Sequence, residues 1–315
     1  MDTDPNVQPP HRSVLYHEII VALNPKSPGR YIDATVGAGG HAWGILDASS
    51  PDGKLLGLDL DPQALALAGQ HLRDFSGRYS LAQASYTTLR DQIQKLGWSQ
   101  ADGIVLDLGV SSMQVDTPER GFSFAKEGPL DMRFGPVQST TAASLINQLA
   151  EPELADLIWR FGEDRNSRRI ARAIVQARPL STTTELAQVI EKAIGRSRER
   201  IHPATRTFQA LRIAVNEELK SVSQVLPIAI DILAPGGRLA IIAFHSLEDR
   251  LVKQYFRQES RDCICPPEQP ICTCSHRASV KEIYRHPALP TEGEIETNPR
   301  ARSARLRVVE KLSLA

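Results

Sequence analysis

The chain has 315 residues, of which 41% are hydrophobic and 23% charged, the balance of an ordinary globular protein long enough for about two domains. No run approaches the roughly 18 consecutive apolar residues of a membrane span, and the polar, proline-rich start from Met1 to His11 has no apolar signal core. A cytoplasmic location with no membrane partner is therefore expected. The formal charge of zero is unevenly spread. Residues 1–159 hold 11 basic against 19 acidic side chains, and residues 160–216 hold 12 against 5. A basic block beside an acidic one points to a nucleic-acid-facing segment joined to a separate catalytic body, with arginines on a solvated helix face as the alternative.

Taken in order, the first half alternates short apolar runs with helical patterns. Tyr31–Ala34 ends in a glycine-rich turn, and Leu55–Leu58 is followed by Asp59. Pro62, suited to a first helical turn, opens a pattern through Leu65, Leu67, Ala68 and Leu72. Tyr79–Ala82 is a third expected strand, with a helix containing Leu89, Ile93 and Leu96 after it, and Gly103–Leu106 is a fourth that ends at Asp107. Strands alternating with helices predict a parallel sheet. From Gly121 to about Asn216 no strand is evident. Helices are expected around Ala142–Leu149, Glu153–Phe161, Arg168–Ala177, Glu185–Ile194 and Ala204–Asn216, with Pro152 at one helix start and Thr184 as an N-cap. The α/β pattern then resumes. A helix over Glu217–Leu233, kinked or divided at Pro227, leads through a turn at Ala234–Gly237 into a strand at Arg238–Phe244, and a last strand is expected at Leu306–Val309. The simplest fold is α/β, a Rossmann-like sheet with an inserted all-α domain.

The segment Tyr31–His41, with Gly37, Gly39 and Gly40, is a strand running into a glycine turn and then a helix. Glycines let the backbone take positive φ and let a ligand approach closely, and the helix that follows offers free N–H groups. Asp59 at the end of the second strand can accept from both ribose hydroxyls, and Asp107 ends the fourth. The loose match of Gly37, Gly39, Gly40 and Ala42 to G-x-G-x-x-G/A leaves a nicotinamide dinucleotide as the lesser alternative. A carboxylate at Asp107 suits a cationic sulfonium or an adenine amino group better than a phosphate, which favours S-adenosylmethionine. Taken alone the glycines would be only a tight turn, but carboxylates at two further strand ends speak against that.

These residues carry a resemblance. Asp33–His41, Leu106–Gln114, Glu119–Phe124, Gly128–Arg133, His202–Ala210, Phe244–Arg250 and Asn298–Ser303 resemble the bacterial RsmH/MraW family, and the likeness runs from His11 to Val309. It implies a class I methyltransferase sheet that takes S-adenosyl-L-methionine and methylates the exocyclic N4 of a cytosine in 16S ribosomal RNA, within the small ribosomal subunit. Residues 1–120 plus 217–315 would form the cofactor-binding domain and 121–216 the helical insertion facing RNA. Position by position, the resemblance implies that Gly39, Gly40 and His41 form the cofactor loop, Asp59 binds the ribose, Tyr86 packs near the adenine where the family usually has Phe, Asp107 is the acid after the fourth strand, and Gln114 is a polar cofactor contact. A non-catalytic RNA-binding assembly factor is a rival, but the intact set Gly39-Gly40-His41, Asp59 and Asp107 argues against lost activity.

Cytosine N4 is a poor nucleophile because its lone pair is delocalised into the ring, so it must be held in line with the methyl group. Many amino-methyltransferases carry Asp/Asn-Pro-Pro-aromatic after the fourth strand. Here the slot reads Asp107-Leu108-Gly109-Val110, without prolines or aromatic, so no proton acceptor is assigned; Asp107 can serve the cofactor, the substrate amine or both, with the cofactor favoured. Ser111, Ser112, His245 and Ser246 stand near strand ends. His245 is either a contact to the target base or a hydrogen-bonded structural histidine. For backbone contacts the candidates are Arg168, Arg169 and Arg172 on one helix face, a loop with Arg196, Arg198 and Arg200, and Arg300, Arg302, Arg305 and Arg307. All four cysteines, Cys263, Cys265, Cys272 and Cys274, form C-x-C-x₆-C-x-C. They can close a structural zinc site, although C-x-C is tighter than the usual C-x₂-C and the implied activity needs no metal.

Overall fold

The apolar runs of the first half become parallel strands in the computed structural model, which describes residues 13–136, 138–195, 201–266, 268–269 and 271–313. A first helix, α1 (Tyr16–Leu23), precedes β1 (Arg30–Asp33), α2 (Gly40–Ala48), β2 (Lys54–Asp59), α3 (Pro62–His71), β3 (Tyr79–Gln83), α4 (Leu89–Lys95) and β4 (Ala101–Asp107). Helices α5 (Ser112–Asp116), α6 (Ala142–Gln148), α7 (Glu151–Gly162), α8 (Ser167–Ala177), α9 (Thr183–Ile194) and α10 (Thr205–Asn216) follow. The chain ends with α11 (Glu218–Ile232), β5 (Leu233–Ala243), α12 (Ser246–Glu259), β6 (Val280–Glu282), α13 (Glu292–Thr297) and β7 (Arg305–Lys311). Two units separate, Met1–Gly109 with Ser221–Ala315, and Val110–Lys220. The second begins eleven residues before Gly121, because the segment after β4 packs with the helices that follow it. Among the described residues no helix is long and apolar enough to cross a membrane.

In the first unit the strand order is β3-β2-β1-β4-β5-β7-β6. β1 to β5 are parallel, and β7 and β6 add antiparallel pairings at one side. This is the α/β Rossmann-like sheet expected from the sequence. Its strands are apolar on both faces, as covering helices require. Ile32, Leu56, Leu58, Ile104, Leu106 and Ile241 belong to one apolar cluster, and Tyr31, Leu55, Val105, Ala240 and Ile242 to another. The expected turn before β5 is a bulge inside it. Leu233 pairs with Ala101 and Arg238 with Gly103, so Ala234–Gly237 protrudes, with Gly236 at φ 78°. Helix α11 runs through Pro227 without being divided there. Its Val222, Val225, Leu226, Ala229 and Ile230 are buried in the sheet cluster, and that burial outweighs the roughly 3 kcal/mol cost of an internal proline.

Within the second unit α6 to α10 stand where their periodicity put them, the short α5 was not expected, and no strand forms among the described residues. One apolar cluster holds them, including Ile146, Leu154, Ile158, Ile170, Ile174, Leu186, Ile190 and Leu211. The N-cap of α9 is Thr182, not Thr184. Its hydroxyl accepts from Glu185 N–H, and the Glu185 carboxylate accepts from Thr182 N–H at 3.0 Å, a capping box that needs the three-residue spacing Thr184 lacks. Arg168, Arg169 and Arg172 share an exposed face of α8, opposite buried Ile170, Ala171 and Ile174. Arg196, Arg198 and Arg200 lie outside the described residues.

Buried Asn216 ends α10 as a four-way connector. Its Oδ1 accepts from Phe134 N–H at 2.8 Å and from Gln138 Nε2 at 3.0 Å, and its Nδ2 donates to Met132 and Arg212 carbonyls at 2.8 and 2.9 Å. Asn216→Ala would leave buried donors and acceptors without partners, at about 1–3 kcal/mol each where water cannot replace the bond. The expected total loss is about 3 kcal/mol, read by chemical denaturation. A variant within about 0.5 kcal/mol of the native protein would mean that water substitutes for the amide.

Candidate active site

Three aspartates end three adjacent strands. Asp33 of β1 is level with Gly57 of β2 and Val105 of β4, so Asp59 and Asp107 each stand two residues beyond it. Residues level across parallel strands project to the same side, as do residues two apart. Asp33, Asp59 and Asp107 therefore share one face and one end of the sheet. Strand spacing sets the backbones of the outer two about 10 Å apart, across β1. Here β1 turns into the glycine loop, whose position is fixed by its neighbours. Ala34 N–H donates to Val105 O at 2.9 Å, and Val36 N–H to Leu58 O at 2.8 Å.

Asp59 organises the loop. Its Oδ2 accepts from Gly37 N–H at 3.0 Å, and its Oδ1 from Asp61 N–H at 2.9 Å. Burial pushes its carboxyl above the ordinary carboxylate range, and those N–H groups pull it back. Gly39 is the N-cap of α2 at φ 87°, and an added Cβ would lie 3.2 Å from Ala68 Cα on α3. Gly39→Ala should cost about 1–2 kcal/mol through its left-handed backbone alone, lowering the thermal midpoint; an unchanged midpoint would show that the loop has another conformation available. His41 is buried at 4% exposure, stacks on Tyr16 and holds Val14 O through Nε2 at 3.0 Å. Burial drives its pKa down to about 4, so the ring is neutral and donates to that carbonyl. Its backbone stands in the first turn of α2, beside the glycine loop. Tyr86 is half-buried just after β3 and packs against the sheet cluster.

Asp107 is the most perturbed of the three. Its pKa rises to about 8, first through burial and then through the like charges of Asp33 and Glu248. Asp33 rises to about 7, again through burial, against the pull of Thr35 and Ala42 amides. Asp107 N–H donates to Thr35 Oγ1 at 2.6 Å, while its buried Oδ1 has no hydrogen-bond partner among the described residues. An orphaned, charge-crowded carboxyl of this kind is a receptor for a donor or a cation. Neither Asp33 nor Glu248 was singled out from the sequence. Asp33 sat in the glycine motif as an apolar strand's last residue, and Glu248 is 141 residues from Asp107.

At the end of β5, His245 is the N-cap of α12. Its Nδ1 accepts from Glu248 N–H at 3.4 Å, and Glu248 Oε2 accepts from the N–H groups of Phe244 and His245 at 2.9 and 3.3 Å. The His245 Nε2 lies 3.2 Å from Glu248 Oε1 and is buried without a hydrogen-bond partner among the described residues, so the ring has both a structural bond and a nitrogen left for a ligand. Arg307 is not a free surface cation. It is buried and paired with Asp249, which also holds Arg305. Arg300 and Arg302 are exposed.

Gln114 belongs to the second unit. It is buried, and its Oε1 accepts from Ser111 N–H at 3.0 Å while its own N–H donates to Ser111 Oγ at 3.2 Å, so it caps α5. The same unit contains a cleft of about 200 Å³ lined by Val110, Phe122, Phe124, Phe208, Gln209 and Arg212. Phe124 stacks on His202 at 4.4 Å and meets Phe208 edge-on at 4.9 Å. The motifs Glu119–Phe124 and His202–Ala210, 78 positions apart in the chain, thus line one aromatic cleft. Their repeated Phe residues were the signal for it.

Comparison with known proteins decides the family. The MraW methylase family profile matches residues 8–312. The chain belongs to this family. It is 51% identical over 306 residues to the ribosomal RNA small subunit methyltransferase H of Dehalococcoides mccartyi strain BAV1, covering 97% of this chain and 88% of that protein. The proteins of the same name from Thermomicrobium roseum and Geobacter sp. strain M21 are 48% and 50% identical, each over 96% of this chain, and over 94% and 98% of their own lengths.

As an MraW-family methylase the chain takes its methyl group from S-adenosylmethionine. The first unit fits that molecule on its own evidence. The unpartnered Asp107 Oδ1, crowded by two further carboxyls, offers the negative charge that a sulfonium or amine needs. The Gly37 position has open space, since an added Cβ would meet only Thr35 O at 3.9 Å.

Proposed function

We propose that this chain transfers the methyl group of S-adenosylmethionine to the exocyclic N4 of a cytosine in 16S ribosomal RNA, with the small ribosomal subunit as substrate. The observation that carries the reading is near-full-length identity of about half to relatives named for small-subunit ribosomal RNA methylation. The choice of N4 rests on the motif resemblance.

Residues 1–120 with 217–315 act as the cofactor-binding domain, and 121–216 as the RNA-facing one. Gly39, Gly40 and the His41 backbone form the loop against the cofactor. Asp59 keeps lone pairs beyond its two amide contacts for the ribose hydroxyls. Tyr86 supplies an aromatic surface for the adenine, and Gln114 a polar contact. Asp107 answers a cationic or amino group of the cofactor with its buried charge. Bound S-adenosylmethionine supplies an electrophilic methyl group on a sulfonium. What the chain adds is position, because a delocalised amine reacts only when held about 3–3.5 Å from the methyl and in line with it. The target base must first leave its stack. The aromatic cleft, with Phe122, Phe124 and Phe208, has the stacking surfaces for such a base. The exposed Arg168, Arg169 and Arg172 suit phosphate contacts.

The test is methyl transfer from labelled S-adenosylmethionine to small subunits purified from cells lacking the enzyme, followed by mapping of the labelled nucleotide. One labelled cytosine carrying the mark on N4 is expected. Label on another base or another ring position overturns the N4 assignment. RNA binding without transfer identifies an assembly factor instead.

A further inference from the structure

Residues 260–279 connect α12 to β6 without a helix or strand among those described. Connections longer than about 12–15 residues are uncommon in ordered protein unless something ties them. The base is tied. Ser279 N–H donates to Glu259 O at 2.9 Å, Ser279 Oγ–H to Glu259 Oε2 at 2.9 Å, and His276 Nδ1 meets Arg261 O at 2.8 Å. Among the described residues the far end is not held by apolar burial, since Ile264 and Ile271 are 44% and 74% exposed.

Four sulfurs converge there instead. Cys263 Sγ lies 3.5 Å from Cys272 Sγ and 3.9 Å from Cys274 Sγ, and Cys272 and Cys274 are 3.6 Å apart. All four sulfurs, Cys265 included, lie within 4.8 Å of one another. A disulfide needs about 2.05 Å, so no pair is bonded. Four thiolates each about 2.3 Å from one zinc ion sit about 3.8 Å from one another at the corners of a tetrahedron. The observed separations bracket that value. Backbone amides face the sulfurs: Ile264 N–H lies 3.4 Å from Cys274 Sγ, and Thr273 N–H 3.5 Å from Cys265 Sγ. Such N–H···S contacts orient metal-bound thiolates and spread their charge. Each C-x-C arm offers two of the four sulfurs.

We propose that Cys263, Cys265, Cys272 and Cys274 bind one zinc ion in a closed, structural tetrathiolate site that braces this loop. Four protein ligands leave no position for water or substrate, so the ion takes no part in methyl transfer. On binding, each thiol gives its proton to solvent and its lone pair to the metal, with no change of oxidation state.

Elemental analysis of the full-length protein, purified under reducing conditions without chelator, tests this. About one zinc per chain is expected, falling below about a tenth in the Cys272→Ser, Cys274→Ser double variant. Protein stripped by a chelator should take up one equivalent from zinc alone, and cobalt in its place should give the visible bands of a tetrahedral thiolate complex. Tryptic cleavage at exposed Arg277 should be slow with zinc and fast after stripping, which reads the brace without relying on a folded variant. Stoichiometric zinc retained by the double variant would locate the metal elsewhere and overturn the proposal. So would a protein that neither holds nor takes up zinc, one whose cysteines form disulfides after reductive purification, or one in which coloured iron fills the site.

Discussion

Asp107→Ala should lower S-adenosylmethionine affinity by at least about thirtyfold, corresponding to 2 kcal/mol or more for losing one side of a buried charge contact. The effect is specific to the side chain. The Asp107 N–H that holds Thr35 Oγ1 survives the substitution, so the glycine loop keeps its anchor. Removing a buried oxygen without a partner should not weaken the ligand-free fold, and the thermal midpoint without cofactor should be equal or higher. Calorimetry that finds native affinity in a folded Asp107→Ala protein would end the assignment of this residue to the cofactor.

The same carboxyl gives the site a pH dependence. Its pKa stands near 8, above the ordinary 3.8. A raised carboxyl stabilises the fold fully below its unfolded pKa, and that contribution is lost as pH rises towards the folded value. Ligand-free protein should therefore become less stable between about pH 4 and about pH 8, with Asp33 near 7 contributing in the same direction. Binding runs the other way. A cation favours the ionised carboxyl, so below about pH 8 binding releases a proton and affinity climbs with pH, by at most about tenfold per unit for one proton. S-adenosylhomocysteine, with a neutral thioether, should show a flatter profile. Equal pH profiles for the two ligands would remove the sulfonium as the group that Asp107 senses.

The parallel strands were legible as continuous apolar runs bounded by turn or acidic residues, and α6 to α10 because each buries apolar residues at a period of about 3.6 over enough length to count. The elements the sequence did not predict lack that signal. α1 spans eight residues, β6 three at the sheet edge, and α13 six with none buried. α12 carries six charged residues among fourteen, two of them buried, with Val252 and Phe256 as its apolar buried positions. For the site, Asp59 and Asp107 could be named because each ends an apolar run. Their shared face, and the crowding of Asp107 by Asp33 and Glu248, depend on strand register, which no local pattern encodes. Within the basic cluster near the C-terminus, Arg307 drops out for the related reason that charge counting cannot see a partner. Arg307 alternates with apolar Leu306 and Val308 in a buried strand, and its counter-ion is 58 residues away.

That counter-ion, Asp249, sets the largest expected loss of stability. It stands in the first turn of α12, 6% exposed, and accepts from Arg307 Nε at 2.6 Å and from a terminal guanidinium nitrogen at 3.2 Å, with Arg305 adding a third contact at 3.1 Å. The two arginines hold its carboxyl below the ordinary range against the opposing effect of burial. Asp249→Ala would leave the Arg307 guanidinium, 9% exposed, charged and without its partner in the centre of β7. Breaking a buried pair in this way costs about 3–5 kcal/mol, whereas replacing both members by apolar groups is often neutral. The single variant should thus lower the urea midpoint sharply, and Asp249→Leu with Arg307→Met should recover most of the loss. Because a depressed carboxylate stabilises above its unfolded pKa and ceases to as pH falls through the folded one, the gap between native and variant should narrow in acid. A single variant within about 1 kcal/mol of the native protein would mean that water reaches Arg307, and that the pair holds α12 to β7 far less than its geometry implies.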